Sequence, residues 1–236
     1  MKNATVILVH GAFADGSSWG NVIPMLEKAG YEVLAVQNPL TSFDDDVKTT
    51  RRVIDAQTRP VILVGHSYGG AVITKAALGA SNVAALVYVA AFAPNAGENL
   101  QLLLEKYPSK IGTALLPDGA GFLYIDRTKF KEVFAADVPD DQRSIMNASQ
   151  KPINSVIFGQ EYEAPAWKDI PSWYLLATND QAINPALQRV FAERMKAKTR
   201  EVSSSHVPFA SNPSTVAAII EEAAEAALPH GASVQA

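Results

Sequence analysis

The chain has 236 residues, of which 48% are hydrophobic and 19% are charged, and its formal net charge is −4. These values are typical of a globular protein with a buried core rather than a disordered one. No run of Lys or Arg suggests a nucleic-acid surface, and the absence of Cys excludes disulfides, thiolate metal sites and a cysteine nucleophile. The first apolar run is too short for a signal peptide, and no stretch is long enough to span a bilayer. We therefore expect a cytoplasmic protein without nucleic-acid or membrane partners.

Short runs rich in Val and Ile recur along the chain, and most are apolar on successive residues. This pattern is typical of strands that are buried on both faces of a parallel sheet. Strands are predicted at 5–9, 32–37, 60–65, 83–90, 172–178 and 199–203. Helical patterns lie between them, so the sequence predicts an α/β fold with a mostly parallel sheet of about six strands flanked by helices.

Several helix starts can be predicted from capping residues. Ser17 can cap a helix that ends near Lys28, and a helix near 44–56 has Asp residues in its first turn. Asn184 and Asn212 each precede a proline, which is the pattern of an N-cap followed by Pro at the first helical position.

The stretch from Pro94 to Lys168 interrupts the alternation of strands and helices. It contains no strong strand pattern, but "LQLLLEKY", "TKFKEVFAA" and "DDQRSIMNAS" are predicted to be helical. So large an insertion after the strand at 83–90 predicts a helical lid. We therefore predict a core formed by residues 1–93 and 169–236, a lid formed by residues 94–168, and a frayed tail after residue 228.

The segment "VGHSYGG" (64–70) places Ser67 between Gly65 and Gly69, directly after a predicted strand and before a helical pattern. This spacing is typical of a sharp strand-to-helix turn that presents a serine hydroxyl as a nucleophile. Glycines flank the serine because a Cβ at these positions would clash in the tight turn. A glycine-rich turn with an incidental serine is the alternative interpretation.

A nucleophilic serine needs a base, and only four histidines are available. His10 ends a strand, His66 lies inside the turn with its side chain directed away from that of Ser67, and His230 lies in the tail. This leaves His206, which follows the strand at 199–203, although a lone loop histidine is more often an ordinary surface residue.

The base needs a carboxylate partner, and the oxyanion of the reaction needs two N–H donors. Asp180 follows the strand at 172–178 directly, at the carboxyl end where reactive groups gather. Asp169 precedes that strand, and Asp126 lies in the predicted lid. The expected oxyanion donors are the backbone N–H groups of Ala12, after the first strand, and Tyr68, after the nucleophile.

With these residues the chain resembles the α/β-hydrolase superfamily over nearly its whole length. Within that superfamily it is similar to the small-lidded branch that contains plant methyl esterases, α-hydroxynitrile lyases and bacterial relatives. The resemblance rests on "VILVHGAFADGSSWGNVIPMLEKAGYEVLAVQNP", "VGHSYGG" and "SSSHVPF". It implies a sheet of about six strands, a helical lid over the serine, and no cofactor. The lyases of the Hevea type have Thr and Lys where this chain has Gly11 and Val207, so the resemblance favours the esterases.

The leading hypothesis is a serine hydrolase that cleaves small to medium, fairly apolar carboxylic esters through an acyl-enzyme. The candidate substrate-lining residues are Phe13, Phe92, Tyr124, Trp167 and Val207. Other reactions of the same triad, such as C–C or C–N cleavage, perhydrolysis or hydroxynitrile lysis, stay open, as does a non-catalytic ligand-binding receptor. No sequence motif supports a metal or nucleotide site. The expected partner is a small-molecule ester, and a homodimer is possible.

Overall fold

A computed structural model describes residues 2–228, so the predicted tail and His230 lie outside the described residues. These residues form nine strands: β1 (Thr5–Val9), β2 (Glu32–Val36), β3 (Val61–His66), β4 (Val83–Val89), β5 (Leu115–Pro117), β6 (Phe122–Ile125), β7 (Ile153–Asn154), β8 (Ser172–Ala177) and β9 (Lys198–Val202). They also form nine α-helices: α1 (Ile23–Lys28), α2 (Phe43–Asp55), α3 (Tyr68–Ala76), α4 (Leu100–Lys106), α5 (Phe130–Val133), α6 (Asp140–Ala148), α7 (Pro185–Arg194), α8 (Pro208–Ser211) and α9 (Pro213–Ala227).

The main sheet has six parallel strands in the order β2-β1-β3-β4-β8-β9. Strands β1 and β3 are completely buried, as their unbroken apolar sequences predict. Helices lie on both faces; α3 packs on β3, and α9 packs on β4 and β8. The predicted α/β fold with about six strands is therefore confirmed, and every predicted strand agrees with the observed one to within one residue at each end.

Side chains cap the starts of α2 and α7. Ser42 caps α2 by accepting a hydrogen bond from the backbone N–H of Asp45 at 3.1 Å. Asn184 caps α7 through the backbone N–H of Ala186 at 2.9 Å, with Pro185 at the first helical position, as predicted.

Two capping predictions are wrong. The predicted helix from Ser17 is split into a 3₁₀ turn at Gly16–Trp19 and α1, and Asp15 caps the turn by accepting from the Ser17 N–H at 2.7 Å. Asn212 makes no capping hydrogen bond to α9 because its side chain donates instead to the Ser211 hydroxyl at 2.9 Å.

We call residues 94–168 the cap segment. Its three predicted helices are present as α4, α5 and α6. The expectation of no strand is wrong, because β5, β6 and β7 form a small antiparallel sheet. These strands have two to four residues, too few for a periodic pattern to be visible in the sequence. The division of the chain into a core and a lid stays a prediction.

The cap segment contacts the segments that follow β2 and β8, at the carboxyl end of the main sheet. Asn154 donates a backbone hydrogen bond to Leu40, and the Ser109 hydroxyl donates to the carbonyl of Ala182 at 2.8 Å. Both contacts lie at the end of the sheet where the site residues lie. Within residues 2–228, no helix combines the length and apolar character needed to cross a membrane.

Candidate active site

Ser67 occupies the turn between β3 and α3, with a positive φ of 53° and a ψ of −125°. A non-glycine residue in such a conformation is strained, and strain of this kind clusters at functional sites. The neighbouring positions must be glycine because there is no room for a Cβ atom at either of them. A Cβ on Gly65 would lie 2.6 Å from the carbonyl oxygen of Gly69, and a Cβ on Gly69 would lie 2.5 Å from that of Val9. The turn is therefore packed directly onto β1, and its serine is held at the carboxyl end of the sheet.

The structure brings Ser67, His206 and Asp180 together. His206 lies in the loop between β9 and α8, with its Nε2 2.8 Å from the Ser67 hydroxyl and its Nδ1 2.7 Å from Oδ2 of Asp180. The three residues are only 7%, 1% and 1% exposed, respectively. Because a carboxylate only accepts, Nδ1 of His206 carries the proton and Nε2 is left to accept the proton of the Ser67 hydroxyl.

Asp180 is held by more groups than His206 alone. Its Oδ1 accepts the backbone N–H groups of Ala182 and Ile183 at 2.7 and 2.9 Å. Its Oδ2 accepts the side-chain amide of Gln188 at 2.8 Å, beside the bond from His206. The carboxylate is therefore oriented on both oxygens, and buried hydrogen bonds compensate for its lost hydration.

The amide of Gln188 can point only one way. Its Oε1 accepts the backbone N–H of Ala177 at 3.1 Å, and its Nε2 donates to the carbonyl of Ile183 at 2.9 Å. Exchanging oxygen and nitrogen would place like groups against each other at both contacts. Gln188 was not predicted from the sequence; the available signal was a polar residue on the buried side of α7, between the buried Leu187 and Phe191.

His66 lies beside the site but does not contact the Ser67 hydroxyl. Its Nε2 donates to the backbone carbonyl of His206 at 2.8 Å, and its ring lies 4.7 Å from that of His206. Burial lowers the pKa of His66 well below its usual value, so the ring is neutral near pH 7. A neutral, buried donor thus holds the backbone of the loop that carries His206.

His10 orders the loop after β1. Its Nε2 accepts the backbone N–H of Asn38 at 3.0 Å, and its Nδ1 therefore carries the proton that is donated to the carbonyl of Gly11 at 2.8 Å. Burial lowers the pKa of His10 to about 4. Only the neutral imidazole can make both hydrogen bonds, since one nitrogen donates and the other accepts. These bonds fix the loop that leads to Ala12.

Ala12 and Tyr68 flank Ser67 at the cavity floor. Neither backbone N–H makes a hydrogen bond to any group in residues 2–228. Tyr68 is the first residue of α3, where an N–H has no partner within the helix. Both N–H groups are thus without a partner in the described part of the chain, and an oxyanion site requires such free donors.

The side chain of Tyr68 is anchored in the core. Its hydroxyl donates to Oδ2 of the buried Asp46 at 2.6 Å, and the backbone N–H of Leu40 donates to Oδ1 at 2.8 Å. Burial raises the pKa of Asp46, although these two hydrogen bonds oppose the shift. Asp46 on α2 thereby fixes the residue that follows Ser67.

A cavity of about 580 Å³ opens above Ser67, between the core and the cap segment. Phe13 and Phe92 line it, as predicted, and its walls are mostly apolar. The other apolar lining residues are Leu100, Leu104, Ile111, Leu115, Leu123, Phe134, Phe158, Ala182 and Ile183. Such a cavity is suited to an apolar chain attached to a reacting carbonyl.

Three of the predicted lining residues lie elsewhere. Tyr124 follows Leu123 on β6, and since successive side chains point to opposite faces, it is directed outward and is 37% exposed. Trp167 is buried away from the cavity, and its indole N–H donates to the carbonyl of Pro94 at 3.2 Å. Val207 is completely buried at the start of α8 and does not reach the cavity.

Comparison with known proteins agrees with this fold. The family model of the alpha/beta hydrolase family matches residues 6–219. A pyrethroid hydrolase from Sphingobium wenxiniae is 31% identical over 96% of this chain and 89% of its own length. The alpha/beta hydrolase nvfD from Aspergillus novofumigatus is 28% identical over 97% of this chain and 99% of its own. The crystal structure of a pyrethroid hydrolase from Sphingobium faniae superposes with a TM-score of 0.80, at 25% identity, over 94% of this chain and 98% of that one.

The fold and the serine–histidine–aspartate arrangement thus define an α/β-hydrolase type of protein. The chain belongs to the alpha/beta hydrolase family.

Proposed function

We propose that this protein is a carboxylesterase that cleaves small to medium, fairly apolar esters through an acyl-enzyme on Ser67. The observation that carries the proposal is the series of hydrogen bonds that joins Ser67 to His206 and His206 to Asp180. Ser67, the first residue of this series, lines an apolar cavity. These three residues supply the hydroxyl, the base and the carboxylate that nucleophilic acyl transfer needs, in the required order.

In the acylation step, the oxygen of Ser67 attacks the ester carbonyl while Nε2 of His206 takes the hydroxyl proton. Asp180 stabilises the resulting imidazolium through Nδ1, and the N–H groups of Ala12 and Tyr68 stabilise the oxyanion. When the intermediate collapses, the bond to the alkoxy oxygen breaks and His206 returns its proton to the leaving alcohol. The acyl group is then bonded to Ser67.

In the deacylation step, a water molecule loses a proton to His206 and attacks the acyl carbon. The bond to the Ser67 oxygen then breaks, and His206 protonates that oxygen to restore the hydroxyl. The carboxylic acid leaves, and the free enzyme is regenerated without any cofactor.

The size and lining of the cavity support the proposed substrate class. Its volume of about 580 Å³ lies within the range of small-molecule sites, and the walls near Ser67 are formed by Phe13, Phe92 and Phe134. Apolar walls favour a hydrocarbon acyl or alcohol group over a charged one. The cytoplasmic location and the absence of nucleic-acid and membrane partners stay predictions.

The proposal is tested by measuring the hydrolysis of p-nitrophenyl esters from acetate to octanoate. We expect turnover by the wild-type protein and a loss of at least about a thousandfold in Ser67→Ala. Ser144→Ala, an exposed serine in α6, is the matched control and should keep wild-type rates. Equal rates in Ser67→Ala and wild type would contradict the proposal.

A further inference from the structure

The cap segment contacts the loop that carries His206 through Asp137. Oδ2 of Asp137 accepts the backbone N–H of Ser205 at 3.0 Å, and Oδ1 accepts the hydroxyl of the same residue. Ser205 is buried and directly precedes His206. An acidic side chain of the cap segment is therefore bonded to the residue next to His206, the general base of the proposed mechanism.

The loop at 203–207 is neither strand nor helix, so its conformation depends on contacts from other elements. The backbone N–H of Asn179 donates to the carbonyl of Ser204 at 3.1 Å, and His66 donates to that of His206. Asp137 accepts the N–H of Ser205, which lies between these two carbonyl groups in the backbone. The loop is thus held from three sides, by the segment that follows β8, by the end of β3 and by the cap segment.

A second contact from the same part of the cap segment reinforces the first. The ring of Phe134 packs against the imidazole of His206, with centroids 5.0 Å apart and planes inclined at 61°. Phe134 thus limits the ring rotation of His206, while Asp137 limits the backbone movement of the preceding residue. Residues 134–137 therefore restrain both the position and the orientation of the imidazole.

The charge on Asp137 suits this contact. Partial loss of solvent raises the pKa of its carboxyl, but hydrogen bonding, mainly from Ser205 and also from Ser211, outweighs that effect and the pKa lies below the usual value. The carboxylate is ionised at neutral pH, and charge-assisted hydrogen bonds of this kind are stronger than neutral ones. Asp137 itself is exposed, so replacing it leaves the core packing intact.

We propose that Asp137 is a positioning residue for catalysis, which holds the Ser205–His206 backbone so that Nε2 of His206 stays within hydrogen-bond reach of Ser67. The inference rests on the proposed function and adds to it that the cap segment completes the active site as well as covering it. A displacement of the base by about 1 Å is enough to lower a rate by up to about a hundredfold.

The test compares Asp137→Ala, Asp137→Asn and the matched control Asp141→Ala, an exposed aspartate in the first turn of α6. We expect Asp137→Ala to lower kcat by about tenfold or more while KM changes by less than about twofold, because the acceptor for Ser205 is lost but the cavity is unchanged. Asp137→Asn keeps an oxygen that can accept the Ser205 N–H and should recover most of the rate. Asp141→Ala should match wild type.

A second measurement observes the positioning directly. The proton on Nδ1 of His206, bonded to Asp180, should give a low-field NMR signal in wild type, and it should broaden or shift in Asp137→Ala but not in Asp141→Ala. A wild-type kcat together with an unchanged signal in Asp137→Ala would overturn the inference. If wild type itself hydrolyses no ester, the proposed function fails, and the NMR comparison alone then decides whether Asp137 positions His206.

Discussion

His66, the residue before the proposed nucleophile Ser67, donates a hydrogen bond to the carbonyl of His206, the proposed base, at 2.8 Å. The two residues are far apart in the sequence, yet this contact ties the turn at Ser67 to the loop after β9. The separation between nucleophile and base is therefore set by one buried bond as well as by the sheet.

Removing the His66 donor should lower the catalytic rate by more than any loss of folded protein explains. His66→Leu leaves the carbonyl of His206 without its partner, and we expect kcat to fall by about tenfold. His66→Gln can place its amide nitrogen near the position of Nε2 and should keep most of the activity. Thermal unfolding of both variants shows whether each is folded at the assay temperature. Equal activity in His66→Leu and wild type would contradict the role given to this bond.

The buried pair of Asp46 and Tyr68 should stabilise the fold. Tyr68→Phe removes the donor to Oδ2 of Asp46, which leaves a buried carboxylate with one partner fewer, and the free energy of unfolding should fall by about 1–3 kcal/mol. Tyr162→Phe is a matched control, since the buried hydroxyl of Tyr162 has no hydrogen-bond partner within residues 2–228. Urea unfolding should show a loss for Tyr68→Phe and none for Tyr162→Phe.

His10 should make the protein less stable in mild acid. Its folded pKa of about 4 lies below the ordinary value of 6.5, so the unfolded chain binds more protons between these two pH values. The free energy of unfolding therefore falls as pH drops through this window, by up to about 3 kcal/mol from this group. Protonation of Nε2 breaks the bond from Asn38, which is the structural reason.

The measurement is urea unfolding at several values between pH 7.5 and pH 4.5. His10→Gln should be less stable at pH 7.5, since it loses the ring contacts, but its stability should depend less on pH than that of wild type. The same pH slope in both proteins would show that His10 does not cause the acid sensitivity.

The cavity should set the acyl-chain preference. Leu123 lines it from β6, whereas the next residue, Tyr124, points outward. Leu123→Trp should lower kcat/KM for p-nitrophenyl octanoate by about tenfold and leave the acetate ester within about twofold, because only the longer chain needs the filled space. Tyr124→Trp should leave both values unchanged. A uniform loss for every chain length in Leu123→Trp would contradict this location of the acyl chain.

The main sheet was predictable because each strand carries its own signal. β1, β3 and β8 are apolar on successive residues, and turn or capping residues mark their ends. The small sheet of the cap segment carries no such signal, because its longest strand, β6, has four residues. Its pairing is set by contacts that are distant in the sequence, such as Phe122 with Asn154.

The candidate site was predictable where chemistry leaves few choices. Elimination among four histidines led to His206, and a position at the carboxyl end of a strand led to Asp180; the structure brings both to Ser67. Gln188 and Asp137 were missed because an amide on a helix and an acid in a poorly patterned segment look ordinary. Their significance depends on which groups they meet in three dimensions.

The central claim is that Ser67 is an activated nucleophile, and labelling with a fluorophosphonate tests it most directly. The reagent is mixed with wild type and with Ser67→Ala, and the modified residue is located by mass spectrometry after digestion. The proposed mechanism predicts one adduct, on Ser67 in wild type, and none in the variant. A folded wild-type protein that gains no adduct, or gains it on another residue, would contradict the account.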